Sequence, residues 1–234
     1  MNEPVLEGKG VMMTLGHGAA SVQALKGVDL AVHAGEMTLL MGPSGSGKTT
    51  LLSILGCVLT PTAGAITVAG RTTRRLGSEA RAAMRRAHIG FVFQSYHLFP
   101  TLNAQENVEL VLDVRGERGG NVHKRARAAL AAVGIEHKAS VLPGRLSGGE
   151  QQRVAIARAL VGNPSIILAD EPTAALDSEN GHAVMQVLAD VARERAVMVV
   201  THDPRTVPFA DRIVRIEDGK ITGEERPRRE SVEG

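Results

Sequence analysis

Apolar residues form short runs towards both ends of this chain and recur at helical spacing in its middle. The short runs are rich in branched residues and end at Gly or polar residues, which predicts strands. These strands are expected at residues 10–15, 24–32, 37–41, 65–69, 89–93, 166–169, 197–200 and 213–216. Helices are expected at residues 48–59, 79–86, 104–114, 122–133, 149–161 and about 180–193.

The alternation of strands and helices predicts an α/β fold in which helices cover a mostly parallel sheet. A run of consecutive helices interrupts this alternation, so we expect residues from about 95 to 164 to form an inserted helical subdomain. Asp218-Gly219 predicts a hairpin turn after the last strand. We expect one domain over residues 1–224, followed by a charged, disordered tail over residues 225–234.

Composition narrows the possible classes of function. The 234 residues carry a formal net charge of +2, and aromatic residues make up only 2%. Both values argue against a protein that binds nucleic acid through a basic surface or through stacked bases. Cys57 is the single cysteine, which excludes an internal disulfide. No signal peptide or membrane-spanning run is visible, so we expect another chain to supply any membrane part.

A glycine-rich segment joins a predicted strand to a predicted helix at residues 42–49, Gly-Pro-Ser-Gly-Ser-Gly-Lys-Thr. Glycines allow backbone N–H groups to turn towards one point, and the helix N-terminus adds partial positive charge. This arrangement suits a polyphosphate, with Lys48 reaching the β- and γ-phosphates and Thr49 offering its hydroxyl to Mg²⁺. The alternative is a glycine-rich turn that caps a buried helix, which leaves the Lys-Thr pair without a role.

A second candidate segment is an apolar strand that ends in two acids, Ile-Ile-Leu-Ala-Asp-Glu at residues 166–171. The carboxyl ends of parallel strands are where α/β sheets bind ligands. Asp170 is therefore a candidate for holding Mg²⁺, and Glu171 for orienting or deprotonating an attacking water. An acidic pair alone is more typical of a solvated turn, but the phosphate loop favours the functional interpretation.

The segment Leu-Ser-Gly-Gly-Glu-Gln-Gln-Arg at residues 146–153 predicts a second helix N-terminus, capped by Ser147. Such a helix end is a further anion-binding surface. One nucleotide can use both surfaces only if they approach it from different sides, which two chains in head-to-tail contact achieve. We therefore expect a homodimer in which the phosphate loop of one chain and the Ser147 helix of the other enclose each ATP.

These segments resemble the nucleotide-binding subunit of ABC transporters, with residues 42–49 as Walker A, 146–153 as the signature and 167–171 as Walker B. The resemblance covers about residues 5–223. It implies a P-loop NTPase with a RecA-like, mostly parallel sheet, an N-terminal antiparallel β subdomain and an inserted helical subdomain. It also implies an enzyme that hydrolyses ATP with Mg²⁺.

Further positions match elements of that family. Gln94 corresponds to the Q-loop glutamine, residues 174–177 to the D-loop, and His202 to the switch histidine. The resemblance implies that the catalytic residues are Lys48, Gln94, Glu171 and His202, and that the metal site comprises Thr49, Gln94 and Asp170. It places the nucleotide against Leu15, Gly42, Pro43, Ser44, Gly45, Ser46, Gly47, Lys48, Thr49 and Thr50 of one chain and Ser147, Gly148, Gly149, Gln151 and Asp177 of the other.

One position departs from the family pattern. The aromatic residue on which adenine stacks in this family corresponds by position to Leu15. A leucine covers a base with apolar surface but provides no π-stack. We therefore expect ATP affinity to be weaker by on the order of 1 kcal/mol.

A basic stretch comprises Arg71, Arg74, Arg75, Arg81, Arg85 and Arg86. It is typical of a solvated face and also fits contact with anionic lipid headgroups. Residues 95–112 resemble the branch of the family that includes lipoprotein-release, macrolide-efflux and glycolipid-export systems. In this segment Tyr96, Leu98, Phe99 and Leu102 either form a groove for a permease helix or pack in the core.

The resemblance implies an ATPase subunit whose dimer closes on ATP and reopens on hydrolysis, powering a separate permease at the cytoplasmic face of the cell membrane. The branch implies a lipid, lipoprotein, glycolipid or drug-like cargo. One alternative is a regulator of cell-wall remodelling that acts through a similar permease. The other is a soluble ABC-type ATPase acting on nucleic acid or ribosomes, a class that usually carries coiled-coil or zinc insertions.

Overall fold

The computed structural model describes residues 3–16, 18 and 21–227. Its strands are β1 (Leu6–Leu15), β2 (Val22–Val32), β3 (Glu36–Met41), β4 (Ala63–Val68), β5 (Arg71–Thr72), β6 (Ile89–Val92), β7 (Ile166–Asp170), β8 (Ala196–Thr201), β9 (Arg212–Glu217) and β10 (Lys220–Glu225). Its α-helices are α1 (Lys48–Leu55), α2 (Ser78–His88), α3 (Ala104–Val114), α4 (Gly120–Ala132), α5 (Gly148–Leu160) and α6 (Ser178–Ala192). Each predicted strand and helix is present within a few residues of its expected bounds.

The strands form two sheets. An antiparallel sheet has the order β2-β1-β4-β5, and a larger sheet has the order β10-β9-β3-β8-β7-β6. In the larger sheet the strands from β9 to β6 are mutually parallel, and β10 pairs antiparallel with β9 across the predicted hairpin turn. This arrangement confirms the α/β fold with an antiparallel N-terminal sheet and a mostly parallel second sheet.

Alternate side chains of the central strands face two hydrophobic clusters. On β8, Val197 and Val199 join a cluster that continues into α3, α4, α5 and α6, whereas Met198 and Val200 join a cluster against α1 and the antiparallel sheet. The two-residue period of a strand produces this division. Because both faces of the larger sheet are covered, β7 and β8 are apolar up to their last residues, Asp170 and Thr201, although β3 also buries Glu36 and Thr38.

Helix α1 ends at Leu55 rather than at the predicted residue 59. The N–H of Gly56 closes the last turn on the carbonyl of Leu52, and Cys57 then adopts a left-handed φ of 57°. A Cβ at Gly56 would overlap the ring of Phe91, so this part of the chain passes too close to β6 for a side chain. Because of that close approach, the helix ends at Leu55, although the apolar run that predicted it continues to residue 59.

The expected disorder of residues 225–234 is wrong at the first residue of this tail, Glu225. Glu224 and Glu225 belong to β10, where they form ion pairs with Arg212 at 3.0 Å and Arg215 at 2.6 Å. This segment has too few apolar residues to predict a strand, but pairing with β9 and the two ion pairs stabilise one. Residues 228–234 of the expected tail lie outside the described residues. No helix in the described part of the chain is long and apolar enough to span a bilayer.

Candidate functional site

A cleft of about 870 Å³ opens at the carboxyl ends of β3, β7 and β8. The predicted residues that line it are Leu15, Pro43, Ser44, Gly45, Gly47, Lys48, Thr49, Thr50, Gln94, Glu171 and His202. Asp170 lies directly behind Thr49, with its Oδ1 3.4 Å from the Thr49 hydroxyl oxygen. The fold therefore brings the phosphate loop, the acidic strand end, Gln94 and His202 to one place.

The phosphate loop leads into the N-terminus of α1. Gly45 and Gly47 have φ values of 79° and 99°, in the left-handed region that glycine adopts without strain. Gly47 is the N-cap of α1, but no side chain caps the helix and no acid lies in its first turn. The free N–H groups and the positive end of the helix dipole are therefore left for an anion.

Lys48 is buried beneath this loop. Its Nζ donates to the carbonyl oxygens of Gly42 at 2.7 Å and Pro43 at 2.8 Å, which fixes a positive charge at the floor of the cleft. Gly42 and Ser46 were expected to contact nucleotide, but they do not line the cleft. A Cβ at Gly42 would overlap the carbonyl oxygen of Ile216, and Ser46 is only 3% exposed, so both support the loop from behind.

Glu171 and His202 are in direct contact, with 2.7 Å between Glu171 Oε1 and His202 Nδ1. Glu171 has a φ of 46°, which is uncommon for a residue with a Cβ, and its N–H donates to the carbonyl of Val200. Backbone strain of this kind is concentrated at functional sites. A carboxylate held against an imidazole beside a phosphate loop can accept a proton from a water in the cleft.

The side chains around Asp170 fit a magnesium ion. Asp170, Thr49 and Gln94 offer carboxylate, hydroxyl and amide oxygens, the ligands that Mg²⁺ prefers. Burial is the main cause of a raised pKa at Asp170, and the neighbouring Glu171 carboxylate raises it further, whereas the hydrogen bond from Thr49 opposes them. A cation beside Asp170 would relieve this desolvated negative charge.

Leu15 forms an exposed apolar pair with Val22 at one end of the cleft. The two residues face each other across β1 and β2, and their exposed fractions are 43% and 64%. Both line the cleft, which agrees with the predicted location of Leu15 but adds a residue that the sequence did not indicate. The pair gives this end of the cleft an apolar surface that contains no aromatic ring.

Replacing Leu15 by Tyr is expected to tighten nucleotide binding. A ring that stacks on the base adds about 1 kcal/mol, which corresponds to about a fivefold lower Kd for ATP. Titration with a fluorescent ATP analogue measures this effect, and catalysis should be unaffected. Leu142→Tyr, at an exposed leucine outside the cleft, is the control. An unchanged or weaker affinity of the Leu15→Tyr protein would contradict the placement of the base.

Sequence reasoning missed several residues of the cleft: Val22, Gln23, Ala24, Lys26, Asp218 and Gly219. Gly219 has a φ of 76°, its N–H donates to the carbonyl of Ser46, and its own carbonyl accepts from Lys26 N–H at 2.9 Å. A Cβ at Gly219 would lie 2.6 Å from the carbonyl oxygen of Ala24. The Asp-Gly turn therefore packs against the phosphate loop, and its only sequence signal was the turn itself.

Ser147 is exposed at the N-terminus of α5, away from the cleft of its own chain. Its hydroxyl oxygen accepts the Glu150 N–H at 3.2 Å, and the Glu150 carboxylate accepts the Ser147 N–H at 2.8 Å. This capping box fixes the helix end and holds the pKa of Glu150 below its usual value, chiefly through the hydrogen bond from the Ser147 backbone. The Ser147 hydroxyl keeps its own proton and can donate it to an external acceptor.

Gly149 does not face outwards as we expected. It is buried, and a Cβ there would overlap the side chain of Asn180. Asn180 also donates through its backbone and side chain to Asp177, the N-cap of α6, and these bonds hold the pKa of Asp177 below its usual value. The start of α6 therefore covers Gly149, while Gly148 is half-buried and Gln151 donates to the carbonyl of Leu146.

The apolar residues after Gln94 differ in burial. Leu98 packs against the hydrophobic core, whereas the side chain of Phe99 is 50% exposed. The fully buried Asn107 fixes the segment, since its side chain bonds both the N–H and the carbonyl of Phe99 and the carbonyl of Leu102. Phe99 is thus presented to solvent by a well-held loop.

Only some arginines of the basic stretch are exposed to solvent. Arg81 and Arg85 are half-buried and donate to the carbonyl oxygens of Leu76 and Cys57. The other members, Arg71, Arg74, Arg75 and Arg86, are exposed. A solvated face describes these four arginines, and contact with lipid headgroups stays a prediction.

Comparison with known protein families and curated proteins identifies relatives. The ABC transporter family matches residues 25–174. The chain is 45% identical to a probable export ATP-binding/permease protein of Pseudomonas fluorescens (strain Pf0-1) over 99% of its own length and 36% of the relative. It is 44% identical to the macrolide export ATP-binding/permease protein MacB of Agrobacterium fabrum over 97% of its length and 35% of the relative. The chain therefore spans about one third of these relatives.

Among solved structures, the chain is similar to the ATP-binding cassette MJ0796. That protein was solved as a dimer in a post-hydrolysis state with ADP and Pi, and it matches with a TM-score of 0.86 and 44% identity. The match covers 94% of this chain and 98% of the other. The similarity therefore extends over one complete cassette.

Proposed function

The chain belongs to the ABC transporter family as an ATP-hydrolysing cassette, and from this premise we propose that two copies enclose ATP and use its hydrolysis to drive a membrane permease. The observation that carries the proposal is the contact of Glu171 with His202 in the cleft that also holds Lys48. A proton acceptor, an imidazole donor and a fixed positive charge surround one space that can hold a triphosphate.

This geometry supports the following proposed catalytic roles. Glu171 orients the attacking water and accepts its proton as the bond between the β- and γ-phosphoryl groups breaks, giving ADP and phosphate. His202 donates a hydrogen bond to the γ-phosphate, and Lys48 balances the charge on the β- and γ-phosphates. Phosphoryl transfer needs mainly positioning and charge stabilisation, which these side chains supply.

Mg²⁺ is the proposed cofactor, and Thr49, Asp170 and Gln94 would hold it. Bound there, the ion would neutralise charge on the phosphate oxygens. The oxygen donors gathered there support this assignment, with the Thr49 hydroxyl oxygen 3.4 Å from Asp170 Oδ1. Gln94 lies in the cleft lining, within the segment that leads to the helical subdomain.

The second half of each ATP site is proposed to come from another copy of the chain in head-to-tail contact. Ser147 supports this because it is exposed, keeps a donor proton and lies outside the cleft of its own chain. The similar cassette MJ0796 was solved as a dimer, which also supports pairing. ATP would then favour the closed pair over separate chains, since it contacts both.

The proposed partner is a permease, which this cassette would drive from the cytoplasmic face of the membrane. Similar proteins are named as export ATP-binding/permease proteins, including ones for macrolides and for syringafactin. The macrolide name supports a drug-like cargo, and a lipid, lipoprotein or glycolipid cargo stays a prediction. The exposed ring of Phe99, five residues after Gln94 in the chain, is the proposed contact with a permease helix.

Replacing Phe99 by Glu is expected to release the permease. The tagged chain would be purified from detergent-solubilised membranes of its own cells, and the proteins that accompany it identified. A permease should accompany the unmodified chain and decrease at least about tenfold with Phe99→Glu, because a buried unpaired charge is costly. Val114 is also exposed and lies at the end of α3, so Val114→Glu is the matched control and should keep the permease.

Two outcomes would contradict this assignment. Recovery of ribosomes or nucleic acid in place of a permease would favour the soluble ABC-type ATPase. Equal loss of permease in the Phe99 and Val114 variants would contradict the assignment of Phe99 as the contact with the permease. A permease that controls a cell-wall enzyme and moves no cargo would support the regulatory alternative.

A further inference from the structure

The chain turns sharply just after Gln94 through two strained residues. Tyr96 and His97 have φ values of 59° and 49°, and neither is a glycine. A left-handed conformation is unfavourable for residues with a Cβ, and it persists only where surrounding contacts hold it. Local hydrogen bonds from the N–H groups of Tyr96 and His97 to the carbonyls of Phe93 and Ser95 close the turn, and a contact from outside the segment adds to them.

Arg158, near the end of α5, supplies the contact from outside the segment. Its Nη2 donates to the carbonyl oxygen of Tyr96 at 2.7 Å, and its Nη1 donates to the carbonyl oxygen of His97. Arg158 is half-buried, and this burial lowers its pKa from the usual value. A planar guanidinium can satisfy two adjacent carbonyls at once, which a lysine ammonium does less well.

The side chain of Tyr96 makes a second connection to the same helix. A Cβ at Gly148 would lie 2.9 Å from the Tyr96 hydroxyl oxygen, so the phenol lies against the N-terminus of α5. Gly148 and Arg158 are about 15 Å apart along the helix axis at 1.5 Å per residue. Tyr96 thus lies along α5, held by its backbone at one end and in contact through its hydroxyl at the other.

We propose that Arg158 is a positioning residue for Gln94: by holding the Tyr96–His97 turn on α5, it ties the location of Gln94 in the cleft to the helix that presents Ser147. This inference rests on the proposed function, in which Gln94 and Ser147 serve ATP bound in opposite halves of a dimer. When α5 shifts relative to the sheet, the turn and therefore Gln94 move with it.

The test is Arg158→Lys, which keeps the charge but loses the paired hydrogen bonds. We expect kcat for ATP to fall about tenfold, because small displacements of a positioning group are costly. KM for ATP should change less than about twofold, because the phosphate loop is untouched. The double variant Arg158→Lys/Gln94→Ala should be no slower than Gln94→Ala, because both changes remove one shared effect.

Arg115 offers a matched control. It also donates to two backbone carbonyls, those of Gly162 and Ala87, but it contacts no residue of the Gln94 segment. Arg115→Lys should lower the melting temperature about as much as Arg158→Lys, and its kcat should stay near the unmodified value. Any effect of Arg115→Lys on kcat should multiply with that of Gln94→Ala, since the two sites act independently.

His97→Gly provides a second variant if Arg158→Lys fails to fold. His97 is exposed, so a glycine there keeps the carbonyl acceptor but frees the turn. We expect a lower kcat with an unchanged melting temperature. An unchanged kcat in the variant that folds, or an effect that multiplies with Gln94→Ala, would overturn the proposal. Absence of ATPase activity in the unmodified chain would instead overturn the proposed function.

Discussion

Replacing Glu171 by Gln is expected to stop ATP hydrolysis while leaving ATP binding intact. Glutamine has the size of glutamate and can still accept a hydrogen bond from His202, so the 2.7 Å contact and the turn after β7 should survive. It cannot accept a proton from water, and loss of a general base lowers rates by about 10²–10⁴-fold. The rate of phosphate release should therefore fall by this factor. The Kd for ATP should stay within about twofold of the value for the unmodified chain.

Glu109→Gln is the control for this experiment. Glu109 Oε1 lies 2.6 Å from His123 Nδ1, so the control removes a carboxylate from a similar imidazole contact outside the cleft. Its rate of phosphate release should equal that of the unmodified chain. If Glu171→Gln kept the full rate, or lost ATP binding together with hydrolysis, Glu171 would not have the role assigned to it.

Replacing Lys48 by Met is expected to remove most ATP affinity. Methionine keeps the apolar stem that fills the space beneath the loop but removes the ammonium bonded to Gly42 and Pro43. A hydrogen bond to a charged group contributes about 1.5–3 kcal/mol, which corresponds to a Kd for ATP that is about ten- to a hundredfold higher. Isothermal titration with ATP measures this change directly.

Lys26→Met tests whether any lysine of the cleft has this effect. Lys26 also lines the cleft, but its side chain is exposed. Solvent screens an exposed charge, so the Kd should rise by less than about fivefold. Equal losses from the two substitutions would mean that overall positive charge, rather than the position of Lys48 beneath the phosphate loop, determines affinity. Thermal unfolding of both variants checks that the loop is intact.

Local sequence patterns predicted the elements that carry the site. The buried runs of β3, β7 and β8 and the glycines before Lys48 each specify their structure through nearby residues, so their order predicted where the acids and the phosphate loop would meet. Glu171 and His202 were assigned separately, and the parallel pairing of β7 with β8 brings them together. Roles for individual residues came from the family resemblance, because their types alone also fit structural explanations.

Long-range contacts determined what the sequence did not predict. Gly149 is covered by Asn180 from another helix, and Gly219 packs against the phosphate loop from the end of the sheet. Strand β10 forms through pairing with β9 and through ion pairs of Glu224 and Glu225, although its own composition is polar. Each case depends on residues distant in the chain, which no local pattern records.

The central claim is that each ATP is enclosed between two copies of the chain, and the molar mass of the Glu171→Gln protein tests it most directly. Light scattering should report single chains without nucleotide or with ADP, and pairs with saturating ATP. Adding Ser147→Arg should keep ATP bound but leave single chains, because the added side chain blocks the proposed second surface. Single chains of the Glu171→Gln protein at saturating ATP would contradict the account.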